Sequence, residues 1–358
     1  MKQRNNYQRL VFPFLKHIDP ETAHDRTISA LTLAQRQALG RSILQKIAGP
    51  LPKGSVNLFG LRFPNCLGVA AGFDKEIQAT IGLAILGFGH IEVGTITPQL
   101  QSGNERPRIF RLPEDEALIN RMGFPSNGAN AARKRLESLA ETKKRNYVIG
   151  VSLGKQKETP LSQAAGDYIN VLQAVFEFAD YLAVNISSPN TPELRKLQGE
   201  KYLADLLGAL TAENKLQASK LQIKPRPLLV KIAPDLSDKE LDSILQVTLD
   251  NEIDGIIAAN TTLGRDGLKN TNQEQAGGLS GKPLASRNLE IIRTIARETH
   301  GRLPIIGVGG VFTADDVRAR LDAGASLVQI YTALVYEGPG IAGHILRELS
   351  KPDEAVKV

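Results

Sequence analysis

From Pro52 onward the chain alternates short apolar runs with longer stretches whose apolar residues recur at helical spacing, and nearly every run stops in Gly, Asn, Ser or Thr. Eight such runs are LGVAAG (67–72), HIEVGT (90–95), YVIGVSLG (147–154), DYLAVNISS (180–188), PLLVKIAP (227–234), DGIIAANTT (254–262), PIIGVGG (304–310) and SLVQIYT (326–332). Uninterrupted apolar runs of this length read as strands covered on both faces, and therefore parallel. Eight strand-helix units over roughly 270 residues predict an α/β fold, a (β/α)8 TIM barrel with a small N-terminal helical extension. A doubly wound sheet is the alternative; the barrel is preferred because the polar residues gather at the C-terminal ends of the runs, where barrel sites are assembled. Gly60 to Asn65 and the early part of 98–120 are expected to add small strands that plug or roof the barrel.

The first fifty residues follow a different pattern. Tyr7, Leu10, Val11, Phe14, Leu15 and Ile18 recur at helical spacing with Arg4, Arg9 and Lys16 among them, which predicts a short amphipathic helix. Asp19 followed by Pro20 predicts a second helix start, with an apolar stripe of Ile28, Leu31, Ala38 and Leu39. Gly40 is the expected interruption before Ile43, Leu44 and Ile47, and Gly49, Pro50, Pro52 and Gly54 read as a linker. The predicted organisation is a membrane and access segment over 1–50, a barrel over 51–350 and a tail over 351–358.

Charge sharpens that division. The net charge is +6, and residues 1–50 hold eight Lys/Arg against three Asp/Glu, so nearly all of the excess lies there. An apolar stripe beside basic residues is the pattern of a helix resting on an anionic lipid surface; a helical pair packed on the barrel carries equal weight, and the two are compatible. Nucleic acid is not expected, because a basic stripe interleaved with aromatics is lacking beyond Tyr7, Phe12 and Phe14. No apolar run reaches the length of about 18 residues that a spanning helix needs, and Pro13 and Lys16 interrupt the one cluster that resembles a secretory signal. A single cysteine, Cys66, excludes a disulfide framework, and five dispersed histidines give no metal-ligand spacing, so no metal is expected.

Candidate chemistry lies at the run ends. The fourth run stops in Asn185, Ser187, Ser188, Asn190 and Thr191, and Pro189 and Pro192 force a loop there. With no acid or histidine among these residues, Ser188 is the candidate proton acceptor; a capped turn is the plainer reading of the segment taken alone. Gly307 to Gly310, Gln329 to Thr332, and Ser280 with Gly281 read as a phosphate cradle, with Thr313 and Asp316 starting the next helix. GGLSGKP has Pro283 where a Walker motif needs Ser or Thr, and neither GFGHIE nor GVGGVF completes G-x-G-x-x-G. Nicotinamide and nucleoside triphosphate are therefore unsupported, and flavin mononucleotide (FMN) fits a rim phosphate with amide-seeking groups above it. Lys75 and Lys231 are the expected inward lysines, Lys231 because Val230 and Ile232 face the helices. An ion pair or an aldolase-like Schiff base are the other readings of Lys231. Asn120, Asn185, Asn190 and Asn260, with Thr261, complement a ring of alternating N–H and C=O groups.

The segments AAGFDK, EVGTITP, RPRIFRL, INRMGF, NISSPNTPELRKLQ, VKIAPDLS, ANTT, GGLSGKPL, PIIGVGG and GASLVQIYT together resemble the dihydroorotate dehydrogenases of the membrane-associated, quinone-reducing class. The resemblance runs from about Asp19 to Tyr336 in the family's order. It implies an FMN-dependent oxidoreductase of pyrimidine (UMP) biosynthesis that oxidises (S)-dihydroorotate to orotate and passes electrons to a membrane quinone, with no partner protein. By the same resemblance Ser188 is the base, flanked by Thr191 and Phe124. Lys75, Asn120, Arg121, Met122, Gly123, Phe124, Asn185, Asn190, Asn260 and Thr261 are implied at the substrate. Ala70, Ala71, Gly72, Lys75, Thr95, Ser152, Asn185, Lys231, Ala259, Ser280, Gly281, Gly309, Gly310, Tyr331 and Thr332 are implied at FMN. His24 and Arg111 are implied at the inner end of a quinone mouth, and the location implied is peripheral, on the cytoplasmic face of the cell membrane. Ser152 and Gln156 stand where the family often has asparagine, Pro125 where a second asparagine follows INRMGF, and Glu193 where glycine is common. The rival readings are a soluble family member using fumarate or a nicotinamide partner protein, a lysine aldolase, and a non-enzymatic membrane-surface module.

Overall fold

The structure, a computed structural model, describes residues 5–141, 145–191 and 193–351. The 352–358 tail, Lys2, Arg4 and Pro192 lie outside the described residues. Eight parallel strands close into a barrel: β1 (Leu67–Val69), β2 (His90–Ile96), β3 (Val148–Leu153), β4 (Tyr181–Asn185), β5 (Leu228–Lys231), β6 (Gly255–Ala258), β7 (Ile305–Val308) and β8 (Leu327–Ile330). Each pairs with its neighbour in sequence, and β8 closes on β1. This is the (β/α)8 TIM barrel the run pattern predicts.

Period-two alternation divides the strand residues between two cores. Leu182, Val184, Val230, Ile256 and Val328 face the helices. Tyr181, Ala183, Leu229, Ile257, Ile306 and Leu327 fill the barrel interior. The interior accommodates the Tyr181 ring because Gly150 lies opposite: a Cβ there would come within 2.0 Å of it. A hairpin, Val56–Leu58 with Leu61–Phe63, inserts the fully buried Phe63 into the same interior core. Over the C-terminal ends lies a three-stranded antiparallel roof of Ile109–Leu112, Ala117–Asn120 and Gly278–Gly281. The two small sheets are the plug and roof expected from sequence; the third roof strand was not, since GLSG reads as a turn in isolation.

The N-terminal segment is helical, with two departures from expectation. Tyr7–Val11 is a π-helical turn leading into Phe12–Leu15, anchored by the Tyr7 hydroxyl on the Val335 carbonyl (3.0 Å) and by Phe12 against Tyr336. Its expected stripe splits: Tyr7 faces the protein, joined there by Phe12 from outside the stripe, while Leu10 and Phe14 remain 67% and 75% exposed. Helix α1 (Pro20–Arg36) starts as predicted, with the Thr22 N–H on the Asp19 carboxylate at 2.8 Å. The break before α2 (Ala38–Ala48) falls at Gln37, which is extended, and not at Gly40. Gly40 instead lets the two helices meet closely, since a Cβ there would lie 2.3 Å from the Ala34 carbonyl oxygen. Ile28, Leu31, Leu44 and Ala48 are buried, whereas Leu33, Leu39, Ile43 and Ile47 are exposed. The pair thus packs on the barrel and also presents an apolar outer face. Among the described residues no helix is long and apolar enough to cross a membrane.

Candidate active site

The strand ends and the roof enclose one cavity of about 1180 Å³, its open mouth included. Ser188, Asn185, Asn190, Asn120, Asn260 and Thr261 line it, together with Lys75, Lys231, Met122, Gly123 and Phe124. So do Ala70, Ala71, Gly72, Thr95, Ala259, Ser280, Gly281, Gly309, Gly310, Tyr331 and Thr332. Two residues expected at the substrate or FMN, Arg121 and Ser152, do not line it, and the two expected at the quinone mouth, His24 and Arg111, lie outside it as that expectation requires. Arg121 turns out of the cavity, its guanidinium 4.7 Å from the Phe110 ring and bonded to the Gln275 side chain and the Pro107 carbonyl. Ser152 is fully buried behind Thr95, hydroxyl to hydroxyl at 2.9 Å, and so reaches the cavity only through that residue. His24 lines a neighbouring cavity under α1, which shares Lys75 and Met122 with the first. Arg111 donates to the Ile18 carbonyl at 2.6 Å, just ahead of α1, and its Nε has no partner among the described residues.

A bulge between Gly94 and Ile96 shifts the register of β2 against β3 and turns Thr95 inward, against strict alternation. Thr95 then accepts from the Asn185 carboxamide at 2.9 Å, and Asn260 donates to the Ser187 hydroxyl at 2.9 Å. The Asn190 carboxamide donates to the side-chain oxygen of Asn120 at 3.2 Å. The carboxamides are thus held by side chains of different strand ends and the roof. Their orientation is set before any ligand arrives.

Ser188 is 6% exposed, and its hydroxyl oxygen accepts from the Asn190 N–H at 3.2 Å. Three residues on in the same loop, the Thr191 hydroxyl is buried without a partner among the described residues. Arg195 clamps this loop, donating to the Ser187 carbonyl at 3.1 Å, the Thr261 carbonyl at 2.9 Å and the Asp235 carboxylate at 2.7 Å. One guanidinium therefore ties the loops that follow β4, β5 and β6. Glu193 in the same loop has φ 57°, in the left-handed region that glycine adopts most readily, and pairs with Lys196. Asn104 holds the Asn190 carbonyl from the other side at 3.1 Å.

Beneath the cavity, Lys231 points inward as expected and pairs with Glu92 at 3.1 Å, both almost wholly buried. The other Glu92 oxygen accepts from Gln329 at 3.0 Å and from the Tyr181 hydroxyl at 3.2 Å. Burial, and then the Glu92 charge, push the Tyr181 phenol well above its ordinary value, so it stays a neutral donor. Lys75 has no hydrogen-bond partner of its own among the described residues, and burial pushes its ammonium down to about 8 although Glu21 and Asp25 act the other way. Burial, and then the charge of Lys75, push His24 down to about 3, so its imidazole is neutral at physiological pH. The His24 ring stands edge-on to Phe73 at 5.3 Å, and Phe73 edge-on to Tyr331 at 5.7 Å, an aromatic file running from α1 to the cavity wall.

The family model described as dihydroorotate dehydrogenase matches residues 54–352, the whole barrel. The chain belongs to the dihydroorotate dehydrogenase family. It is 47% identical over 98% of its length to the dihydroorotate dehydrogenase (quinone) of Arthrobacter sp. (strain FB24), of which it covers 99%. It is 49% identical to that of Chloroflexus aurantiacus, over 92% of each chain. A crystal structure of the Eimeria tenella dihydroorotate dehydrogenase in complex with ferulenol superposes with a TM-score of 0.82 at 37% identity, covering 92% of this chain and 90% of that one.

Glu92, Arg195 and Asn104 escaped the sequence reading. Glu92 had a signal, since it shares the inward phase of its strand with His90. Arg195 and Asn104 had none, because Arg195 joins the Ser187 and Thr261 carbonyls to the Asp235 carboxylate and Asn104 holds the Asn190 carbonyl, partners that only the fold brings together.

Proposed function

We propose that the protein oxidises (S)-dihydroorotate to orotate in pyrimidine biosynthesis, using FMN, and passes the electrons to a membrane quinone. The observation that carries this reading is that one cavity joins Ser188 and four carboxamides to an inward lysine and a glycine pair at the end of β7. The names of relatives matched over nearly the whole chain support the substrate and the quinone. The residues present also fit a flavin nucleotide. At the phosphate end, Gly309 and Gly310 expose backbone, and the Ser280 and Thr332 hydroxyls lie 2.9 Å apart. At the ring end, Lys231 lines the cavity, and the buried side-chain amide oxygen of Gln329 has no partner among the described residues.

When bound, FMN supplies the acceptor for the hydride leaving C6 of dihydroorotate. Ser188 takes the C5 proton, and loss of hydride and proton together creates the C5=C6 double bond of orotate. A serine is a weak base, so its surroundings must favour the transfer. The Asn190 N–H stabilises charge growing on the serine oxygen, and Thr191, in the same loop with its hydroxyl unpartnered among the described residues, takes the proton on by analogy with the family. Phe124 closes the wall. Lys75 attracts the substrate carboxylate, and Asn120, Asn190, Asn260 and Thr261 read its ring. The aromatic file from the cavity wall ends at His24 under the N-terminal helices, the side from which a quinone would approach a bound flavin. The exposed apolar face of those helices, flanked by Arg9, Lys16, Arg36, Arg41 and Lys46, rests on anionic lipid at the cytoplasmic face of the membrane. An aldolase is disfavoured because Lys231 is engaged by Glu92.

The test is Ser188→Ala. Binding of FMN and orotate should persist while flavin reduction by dihydroorotate slows by orders of magnitude, because loss of a general base affects chemistry more than binding. Unchanged reduction in stopped-flow measurements would reject serine as the base.

A further inference from the structure

Two glycine peptides at the end of β7 are gripped from behind by side chains outside the site described above. Asn288, on the helix Ala285–Glu298, donates to the Val308 carbonyl at 2.5 Å, and the Ala259 N–H reaches the same oxygen at 3.2 Å. Arg320, on the helix Ala314–Asp322, donates to the Gly309 carbonyl at 2.6 Å. Both peptides are trans, so the N–H of Gly309 points away from Asn288 and that of Gly310 away from Arg320. Both glycines line the cavity, and neither N–H has a backbone acceptor among the described residues.

Glycines at φ 107° and 68° are free to flip their shared peptide, which would aim an oxygen at an incoming anion. The bond from Arg320 opposes that flip. No other residue type fits in front of these supports: a Cβ on Gly309 would lie 2.0 Å from the Asn288 nitrogen, and one on Gly310 2.5 Å from the Ala285 Cα.

Arg320 is also unusual electrostatically. It is 2% exposed, its contacts are the carbonyls of Asp316, Gly309 and Ala285, and its Nε has no partner among the described residues. The nearest acid, Asp316, spends its carboxylate on the N–H groups of Phe312 and Thr313. The Asp316 charge still acts on Arg320, but a buried guanidinium with no carboxylate bonded to it is further stabilised by an anion close by.

We infer that Arg320, assisted by Asn288, is the positioning residue of the phosphate cradle: it locks the Gly309–Gly310 peptide with its N–H towards the cavity and places a buried positive charge behind the phosphate. It thereby sets the preference for a phosphorylated flavin over one without phosphate. The inference rests on the flavin reading above and deepens it.

The experiment compares FMN with riboflavin on the full-length protein, wild type and Arg320→Met, following flavin fluorescence on reconstitution and the rise in melting temperature each flavin produces. Arg320→Met should weaken FMN about tenfold or more, the scale of one charge-assisted hydrogen bond, and leave riboflavin within about twofold. Arg320→Lys keeps the charge on a single donor, so its FMN loss should be smaller and should grow with salt. If Arg320→Met does not fold, Arg320→Lys decides by the same FMN-to-riboflavin ratio. Equal weakening of both flavins would make Arg320 merely structural and overturn the inference, as would an unchanged ratio. A wild-type protein that binds neither flavin would instead refute the function proposed above.

Discussion

Glu92→Gln isolates the ion pair at the barrel centre. The substitution keeps the shape and one acceptor for Tyr181 or Gln329, but it leaves Lys231, 4% exposed, without its anion. At the observed 3.1 Å separation the attraction lost is about 5 kcal/mol for an effective dielectric constant near 20. Breaking one side of a buried pair typically destabilises by about 3–5 kcal/mol, since the remaining charge stays desolvated. Removing both charges relieves that penalty, so Glu92→Gln combined with Lys231→Met should be more stable than Glu92→Gln alone. Urea unfolding followed by circular dichroism on the four proteins of this cycle measures the coupling directly. A loss below about 1 kcal/mol for Glu92→Gln, or a double variant no more stable than the single, would refute the pair as the element that holds Lys231 in place.

Lys75 predicts a pH dependence. Its folded value is depressed to about 8, so the ammonium is present below that pH and is lost as pH rises through it. The KM for dihydroorotate should climb towards tenfold per pH unit above about 8, and Lys75→Gln should raise KM throughout and erase the break; a flat KM from pH 7 to 10 in the wild type contradicts the assignment. Phe14→Ser with Leu39→Ser alters only the outer apolar face, where the two residues are 75% and 73% exposed. It should reduce turnover with a membrane quinone and sedimentation with anionic vesicles, while reduction of a soluble dye is kept; equal losses with both acceptors would make that face structural. Deleting residues 1–50 should also lower quinone turnover more than dye turnover, but it removes Glu21, whose carboxylate pairs with the buried Arg108 at 2.7 Å. Arg108 in turn holds the Ser102 and Asn104 carbonyls, and Asn104 holds Asn190, so the deletion should raise the KM for dihydroorotate as well.

What the sequence by itself determined about this protein is what local chemistry carries. Continuous apolar runs with period-two alternation specify buried strands and which side of each faces inward, which is why Lys231 was legible as an interior lysine. Asp19 before Pro20 specifies a helix start, and the crowd of Asn and Ser after Val184 marks a strand end with more polar groups than a turn requires. Tertiary structure decided what those residues meet. Glu92 finds Lys231 139 positions away and Gln329 237 positions away, because barrel closure brings three inward-facing strands to one axis. The bulge that turns Thr95 inward, the helix break at Gln37 in place of Gly40, and the outward face of Leu10 and Phe14 likewise depend on neighbouring elements. Gly309 and Gly310 taken alone read as a tight turn as readily as a phosphate cradle, and the bonds from Asn288 and Arg320 to the carbonyls of Val308 and Gly309 appear only in the folded chain. Hydrogen bonds to backbone carbonyls leave no mark on the sequence of the carbonyl's own residue, so those supports become visible only when the chain is folded.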